Sequence, residues 1–147
     1  MLYDAGGFGV GELLLESDLL LWHDLPRPGL EPTGRHPLAD RLSAYFAGEP
    51  DGFRDVTLDL SWCTPFQHAV VTALRAVGRG ETVTYGELAA LAGHPGASRA
   101  AGSFCAGNRF AIIVPCHRVV AAGGLGGYGS LGADYKRRLL ALEGATV

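Results

Sequence analysis

The chain has 147 residues, a hydrophobic fraction of 48% and a formal net charge of −3, enough for one domain or two small lobes with a genuine core. No run of eighteen apolar residues occurs, which excludes a membrane-spanning helix. Three cysteines without Cys-x-x-Cys spacing argue against a disulfide framework or zinc knuckle, and for a reducing, intracellular setting.

The N-terminus lacks a basic region and a long apolar stretch, so no secretory leader is expected. Residues 1–63 read as an α+β lobe. Gly11–Glu16 and Leu19–His23 alternate enough for a hairpin turning at Ser17-Asp18. Pro26, Pro28 and Pro32 suggest an extended linker. Pro37 suits the first turn of a helix through Leu42, Tyr45 and Phe46 that Gly48 stops. Val56, Leu58 and Leu60 alternate with polar residues as a strand would. His23 and His36 read as surface or satisfied histidines, and Trp22 and Trp62 as core. No catalytic constellation stands out here.

Residues 64–147 are expected to form a second, mostly helical domain. Thr64 and Pro65 open a helix striped by Phe66, Val70, Leu74 and Val77, ending near Gly78 and Gly80. Thr84-x-x-Glu87 is a capping box for a helix from Tyr85 to Ala92, closed by Gly93. A further helix is expected from Pro95 to about Ala106, so the pair reads as a helix-turn-helix. That second helix is built of small residues: Ala97, Ser98, Ala100, Ala101, Gly102, Ser103 and Ala106. Either it packs very close to a neighbour, or it enters a narrow groove that bulky readers cannot. Arg99 is its lone large charge, and a solvated surface Arg is the plain alternative.

Charge is segregated. Residues 1–63 carry a net −7 and residues 64–147 a net +4; between Leu88 and Ala133 there is no Asp or Glu. A surface meeting phosphates must exclude carboxylates, although chance segregation gives the same count.

The most informative stretch is Ile112-Ile113-Val114-Pro115-Cys116-His117-Arg118-Val119. Three β-branched residues suggest a short buried strand that Pro115 ends. A thiol, an imidazole and a guanidinium follow at once, the groups that make and use a thiolate. A buried core Cys remains the plain alternative. Gly123 to Gly129 then reads as a linker or a pocket wall. Asp134 should cap a last helix through Leu142, with Lys136, Arg137 and Arg138 on its exposed side.

Pro115-Cys116-His117-Arg118-Val119 resembles the signature of the O6-alkylguanine-DNA alkyltransferases, the methylated-DNA–protein-cysteine methyltransferases. Thr64–Gln67, Gly80–Ala89, Ser98–Gly102, Gly107-Asn108, Gly126–Tyr128 and Leu139–Gly144 are similar to family blocks in family order. The resemblance implies an α+β protein: a ribonuclease-H-like N-terminal lobe over 1–63, and a winged-helix-like DNA-binding and alkyl-acceptor domain over 64–147. It implies that Cys116 accepts an alkyl group from O6-alkylguanine, once per molecule and without metal or cofactor, with O4-alkylthymine a further candidate. Glu143 would orient His117, His117 would take the thiol proton through a water, Tyr85 would protonate the leaving guanine, and Asn108 would hydrogen-bond near the cysteine. Arg99 would fill the space of a flipped nucleotide, with Ser98, Ala100, Gly102, Tyr85 and Arg118 also facing the minor groove of double-stranded DNA. Val114, Pro115, Tyr128, Gly129 and Ser130 would line the pocket, and Cys63 and Cys105 would be structural. A cytoplasmic monomer is implied, nucleoid-associated in a bacterium or nuclear in a eukaryote. Arg109 and Ala111 replace the family's usual prolines, and the Cys116–Tyr128 gap is one residue short. A non-catalytic lesion binder and a redox-sensing helix-turn-helix regulator are the alternatives from other classes; Cys116 and the lack of base-reading side chains weigh against them.

Overall fold

The computed structural model describes residues 1–145 and shows a mixed α+β protein. It divides into two compact units. The first comprises Met1–Asp59 with Arg109–Ile113; the second comprises Leu60–Asn108 with the chain from Val114 onward.

The first unit holds a four-stranded sheet in the order β1 (Leu2–Asp4), β2 (Val10–Glu16), β3 (Leu19–Arg27), β4 (Thr57–Leu58). β2 and β3 form the expected hairpin, and Ser17 takes a positive φ of 56° at its turn. β3 runs on through Pro26, so the linker starts later than the prolines suggest; β4 pairs parallel to β3 and is only two residues long. Helix α1 (Pro37–Phe46) has Pro at its start, and the His36 ring accepts from the Leu38 amide as its cap. Leu13, Leu20, Leu42, Tyr45, Phe53 and Phe110 fill the core. Arg41 binds Asp51 and Asp55 at 2.8–2.9 Å and lies over Phe53, which fixes the 51–55 loop on α1. Trp22 is not core: it is 38% exposed and carries the Arg109 guanidinium 5.9 Å over its ring.

The second unit contains α2 (Pro65–Arg75), α3 (Tyr85–Leu91), α4 (Ser98–Ala106) and α5 (Gly132–Leu142), with a short parallel pair β5 (Val83–Thr84) and β6 (Val119–Val120). Thr64 and Thr84 each form a complete capping box, with Gln67 and Glu87 respectively. Val70, Leu74 and Val77 bury the α2 stripe. Gly93, at φ 84°, makes the left-handed turn after α3, where a Cβ would cost roughly 1–2 kcal/mol. Residues His94 to Ala97 are a turn, so α4 starts at Ser98 and not at Pro95. Trp62 stacks on Phe104, but it is only partly buried and so is not a core residue as expected.

Two further expectations fail. Ile112–Val114 is not a strand: Ile112 has φ 72°, and the chain turns there before a 3-10 turn at Cys116–Arg118. Burial demanded apolar residues, and β-branching reported that burial instead of the backbone state. Asp134 does not cap α5; Leu131 holds the cap position and Asp134 lies in the first turn, ion-paired with Arg137 at 2.7 Å.

Candidate active site

Cys116 and His117 sit on the 3-10 turn that β6 follows, and both are buried. Glu143 lies at the C-cap of α5, where the helix dipole disfavours an anion. It is compensated by two partners. Arg118 grips it with Nε to Oε1 at 2.9 Å and Nη2 to Oε2 at 2.8 Å, and gives Nη1 to the Val77 carbonyl at 2.7 Å. His117 Nε2 donates to Glu143 Oε2 at 2.9 Å.

That bond fixes the imidazole. A carboxylate can only accept, so Nε2 carries the hydrogen and Nδ1 presents a lone pair. Nδ1 is buried and has no hydrogen-bond partner among the described residues. Burial pulls His117 below its ordinary value, against the pull of Glu143; Arg118 and Lys136 add to the lowering. The ring is therefore a neutral base near pH 7.

Cys116 is held as a thiol. Burial pushes it well above the ordinary thiol value, and the neighbouring Cys105 thiol adds to this; an Asn108 hydrogen bond and the Lys136 charge oppose it. Asn108 also donates Nδ2 to the Val114 carbonyl at 2.8 Å, so one side chain ties the end of α4 to the reactive turn.

Lys136 was expected on the exposed face of α5, and the structure reverses this. It is fully buried, donating Nζ to the Val119 carbonyl at 2.5 Å and the Gly127 carbonyl at 3.2 Å, 5.9 Å over the Tyr85 ring. Desolvation lowers its affinity for a proton, while Cys105 and Cys116 raise it. Among the described residues it has no carboxylate partner. Arg118 offsets Glu143, so this buried cation is matched only when Cys116 ionises. The signal was in the sequence: Lys136, Leu139, Leu140 and Glu143 fall on one helical stripe. Gly126, at φ 77°, lies where a Cβ would come 3.2 Å from the Ala121 nitrogen and 3.6 Å from Nζ, so glycine lets this loop close over the lysine.

Two tyrosines complete the group. Burial raises Tyr85, with further pushes from Cys105 and Cys116. Burial also holds Tyr128 well above the ordinary phenol value, followed by Cys116, Tyr135, Cys105 and Glu143, although part of its ring is exposed. Val114 and Pro115 are buried beside the turn, while Gly129 and Ser130 are exposed. On α4, Arg99, Ala100 and Ser103 are exposed, Ser98 and Gly102 are partly so, and Ala101 is buried. Arg118 does not join the exposed group: at 7% exposure and fully engaged by Glu143, it orders the site and has no free face for a phosphate. Cys105, partly exposed, adds to the upward push on the Cys116 thiol.

A buried cysteine beside a neutral imidazole, in the same unit as a helix-turn-helix, defines the class of site: a thiol and a base set against paired short helices. Residues 65–145 match the family model described as 6-O-methylguanine DNA methyltransferase, DNA binding domain, and the chain belongs to that family. Over 105 residues it is 54% identical to the methylated-DNA–protein-cysteine methyltransferase of Mycobacterium tuberculosis, covering 71% of this chain and 62% of that protein. Over 106 residues it is 53% identical to the protein of the same name from Methanosarcina acetivorans, covering 71% and 66%. A crystal structure of Mycobacterium tuberculosis OGT in complex with DNA superimposes with a TM-score of 0.80 at 42% identity, over 97% of this chain and 90% of that one. The aligned sequence thus spans less than two thirds of the length of these curated relatives.

Proposed function

We propose that this protein repairs alkylated DNA by direct reversal, moving the alkyl group of O6-alkylguanine to Cys116 in a single turnover. The observation that carries the reading is His117: its Nε2–H is held by Glu143 and its Nδ1 is left free beside a buried cysteine. That is a base awaiting a proton.

The step runs as follows. The Cys116 thiol gives its proton to His117 Nδ1 through one bridging water. The thiolate, opposite Lys136 and hydrogen-bonded by Asn108, attacks the alkyl carbon in line. The C–O6 bond breaks as the S–C bond forms, and the electron pair leaves on guanine. Tyr85 returns a proton to the guanine. Part of the upward push on Tyr85 is the Cys116 charge, so Tyr85 becomes the stronger acid as the thiolate becomes a neutral thioether. The thioether is stable, which ends the protein's working life. No metal or cofactor enters.

A buried acceptor cannot meet a base inside a duplex, so the nucleotide leaves the stack. The exposed small residues of α4, Ala100 and Ser103, suit approach to the minor groove, and the exposed Arg99 suits the vacated space. Ser98, Gly102 and Tyr85 flank this face, while Val114, Pro115, Tyr128, Gly129 and Ser130 are assigned to the pocket. The protein is read as acting as a monomer in the cytoplasm or nucleoid.

The test is intact-protein mass after incubation with duplex DNA carrying one O6-methylguanine. The expected result is a gain of one methylene per chain, absent in Cys116→Ser. Tight lesion binding without mass gain would instead indicate a non-catalytic lesion binder.

A further inference from the structure

Tyr128, assigned above to the pocket, sits in a segment that cannot hold it. Five of the seven residues from Gly123 to Gly129 are glycine. Such a backbone is permissive and offers no side chains against which a ring could rest. Helix α5 supplies what the loop lacks, within little more than its first turn. The amide of Gly132, its first residue, donates to the Tyr128 carbonyl at 3.3 Å. Lys136 Nζ donates to the Gly127 carbonyl at 3.2 Å. Between these two, Tyr135 sets its ring 6.4 Å from the Tyr128 ring, centroid to centroid, at a tilt of 36°. That separation is within the range where aromatic pairs attract beyond simple burial. Tyr135 is steadied in turn by its own helix, since Arg138, three residues on, carries its guanidinium 5.9 Å over the Tyr135 ring. Both tyrosines are half-buried, and all of these residues belong to the second compact unit. Two of the three holds act on backbone carbonyls and would fix the path of the loop with any residue at 128. Only Tyr135 acts on the ring.

We propose that Tyr135 is a positioning residue for alkyl transfer and a determinant of which alkyl groups are accepted: its ring fixes the tilt of Tyr128, and so the width of the pocket that receives the lesion. This rests on the repair reading and on the place of Tyr128 in that pocket. A ring held by a helix keeps the pocket at one width, which favours a small group such as methyl. A ring released from that hold swings, admits a bulkier group and grips the base less well. Tyr135 acts through Tyr128 and not on the reacting atoms.

The test compares the parent with Tyr135→Ala, Tyr135→Leu and Tyr135→Phe on duplex DNA carrying O6-methylguanine or O6-benzylguanine, by intact-protein mass against time with DNA in excess. In Tyr135→Ala the DNA concentration giving half the maximal rate should rise about three- to tenfold, the fold-change that loss of one aromatic pair corresponds to. The maximal rate should stay within about twofold, and the benzyl-to-methyl rate ratio should rise about threefold or more. Tyr135→Phe keeps the ring and should match the parent. Tyr135→Leu fills the space without an aromatic face and should shift both quantities as Tyr135→Ala does, which decides the matter even if the alanine variant fails to fold. Half-saturation and ratio both unchanged in Tyr135→Leu overturn the proposal, whatever happens to the denaturant midpoint, because a contact that only stabilises the fold would lower that midpoint alone. A Tyr135→Phe variant that behaves like Tyr135→Leu overturns it too. Nitration by tetranitromethane, mapped by peptide mass, reads the ring without the reaction: Tyr128 should be nitrated several-fold faster in Tyr135→Leu than in the parent, and an equal rate overturns the hold on the ring. If Tyr128 nitration rises but the parent accepts no alkyl group from either DNA, the repair reading fails and the selectivity role falls with it.

Discussion

The protein buries two imidazoles, and their surroundings differ in one respect. Around His23, both ring nitrogens are engaged. Nδ1 donates to the Ala111 carbonyl at 2.5 Å, which forces Nε2 to accept from the Tyr3 hydroxyl at 2.7 Å. Around His117, one nitrogen is engaged by Glu143 and the other has no hydrogen-bond partner among the described residues. Burial lowers both, so both are neutral near pH 7. Burial and a perturbed proton affinity therefore do not tell a structural histidine from a working one; the unspent lone pair does. No protein group uses that lone pair, which leaves it available to receive a proton.

The comparison breaks most sharply at His117. His117→Gln should slow alkyl transfer by about 10²–10⁴-fold, measured by mass against time on lesion DNA. It should move the urea midpoint less than His23→Gln does, because the Gln amide can still donate one N–H to Glu143 and Nδ1 loses no protein partner. His23→Gln should do the opposite, leaving transfer intact and costing about 1–3 kcal/mol by stranding the Tyr3 hydroxyl or the Ala111 carbonyl. Equal effects on both readouts in both variants would sink the distinction.

Glu143→Ala removes the holder of His117 and strands the Arg118 guanidinium. A loss of about 3–5 kcal/mol in denaturant unfolding is expected, together with slowed transfer. Glu143→Gln should recover much of the stability, since its amide oxygen still accepts from Arg118, but less of the rate.

Acid separates the two rings by sign. His23 falls from 6.5 to about 4 in the folded state, chiefly by burial. The unfolded chain therefore binds the proton first, and stability is complete above pH 6.5 and lost as pH falls toward 4. The full loss is about 3 kcal/mol, and His23→Gln should flatten it. For His117 the same direction of shift predicts that the rate of transfer holds at pH 6.5 and declines only below it, as Nδ1 takes a proton from solvent. A smaller effect tests the scaffold alone. Thr84→Ala opens the capping box of α3 and should cost about 1 kcal/mol, without touching either histidine.

Local chemistry made much of this fold legible in the sequence. Pro37, Thr64-Pro65 and Thr84-x-x-Glu87 act within one helical turn, and each helix begins where those residues put it. The misreadings lie where distant packing decides. Ile112–Val114 is apolar because it is buried, yet the chain turns there with Ile112 at φ 72°, a conformation its branched side chain resists. Lys136 lies in a basic run that spans several helix faces, and only its alignment with Glu143 marks it as inward. Cys116, His117 and Glu143 could be named, but which nitrogen Glu143 holds, and that Arg118 shares the same carboxylate, required the fold.

Neither compact unit is a continuous piece of chain. Arg109–Ile113 is drawn from the middle of the second unit's sequence to complete the first, and Asn108 and Val114, the residues flanking the excursion, are pinned by a 2.8 Å hydrogen bond. His23 finds its Ala111 acceptor only in that borrowed segment, and Phe110, fully buried, sits in it too. A ribosome must therefore deliver more than a hundred residues before the N-terminal sheet has all its core, and the nucleophile follows immediately afterwards. Cutting the gene at residue 63 would not excise a module; it would leave a sheet missing Phe110 and a buried imidazole missing a partner. The two halves of this protein are stitched at the level of synthesis, so the chain should fold as one cooperative event, with the reactive turn among the last parts to be made.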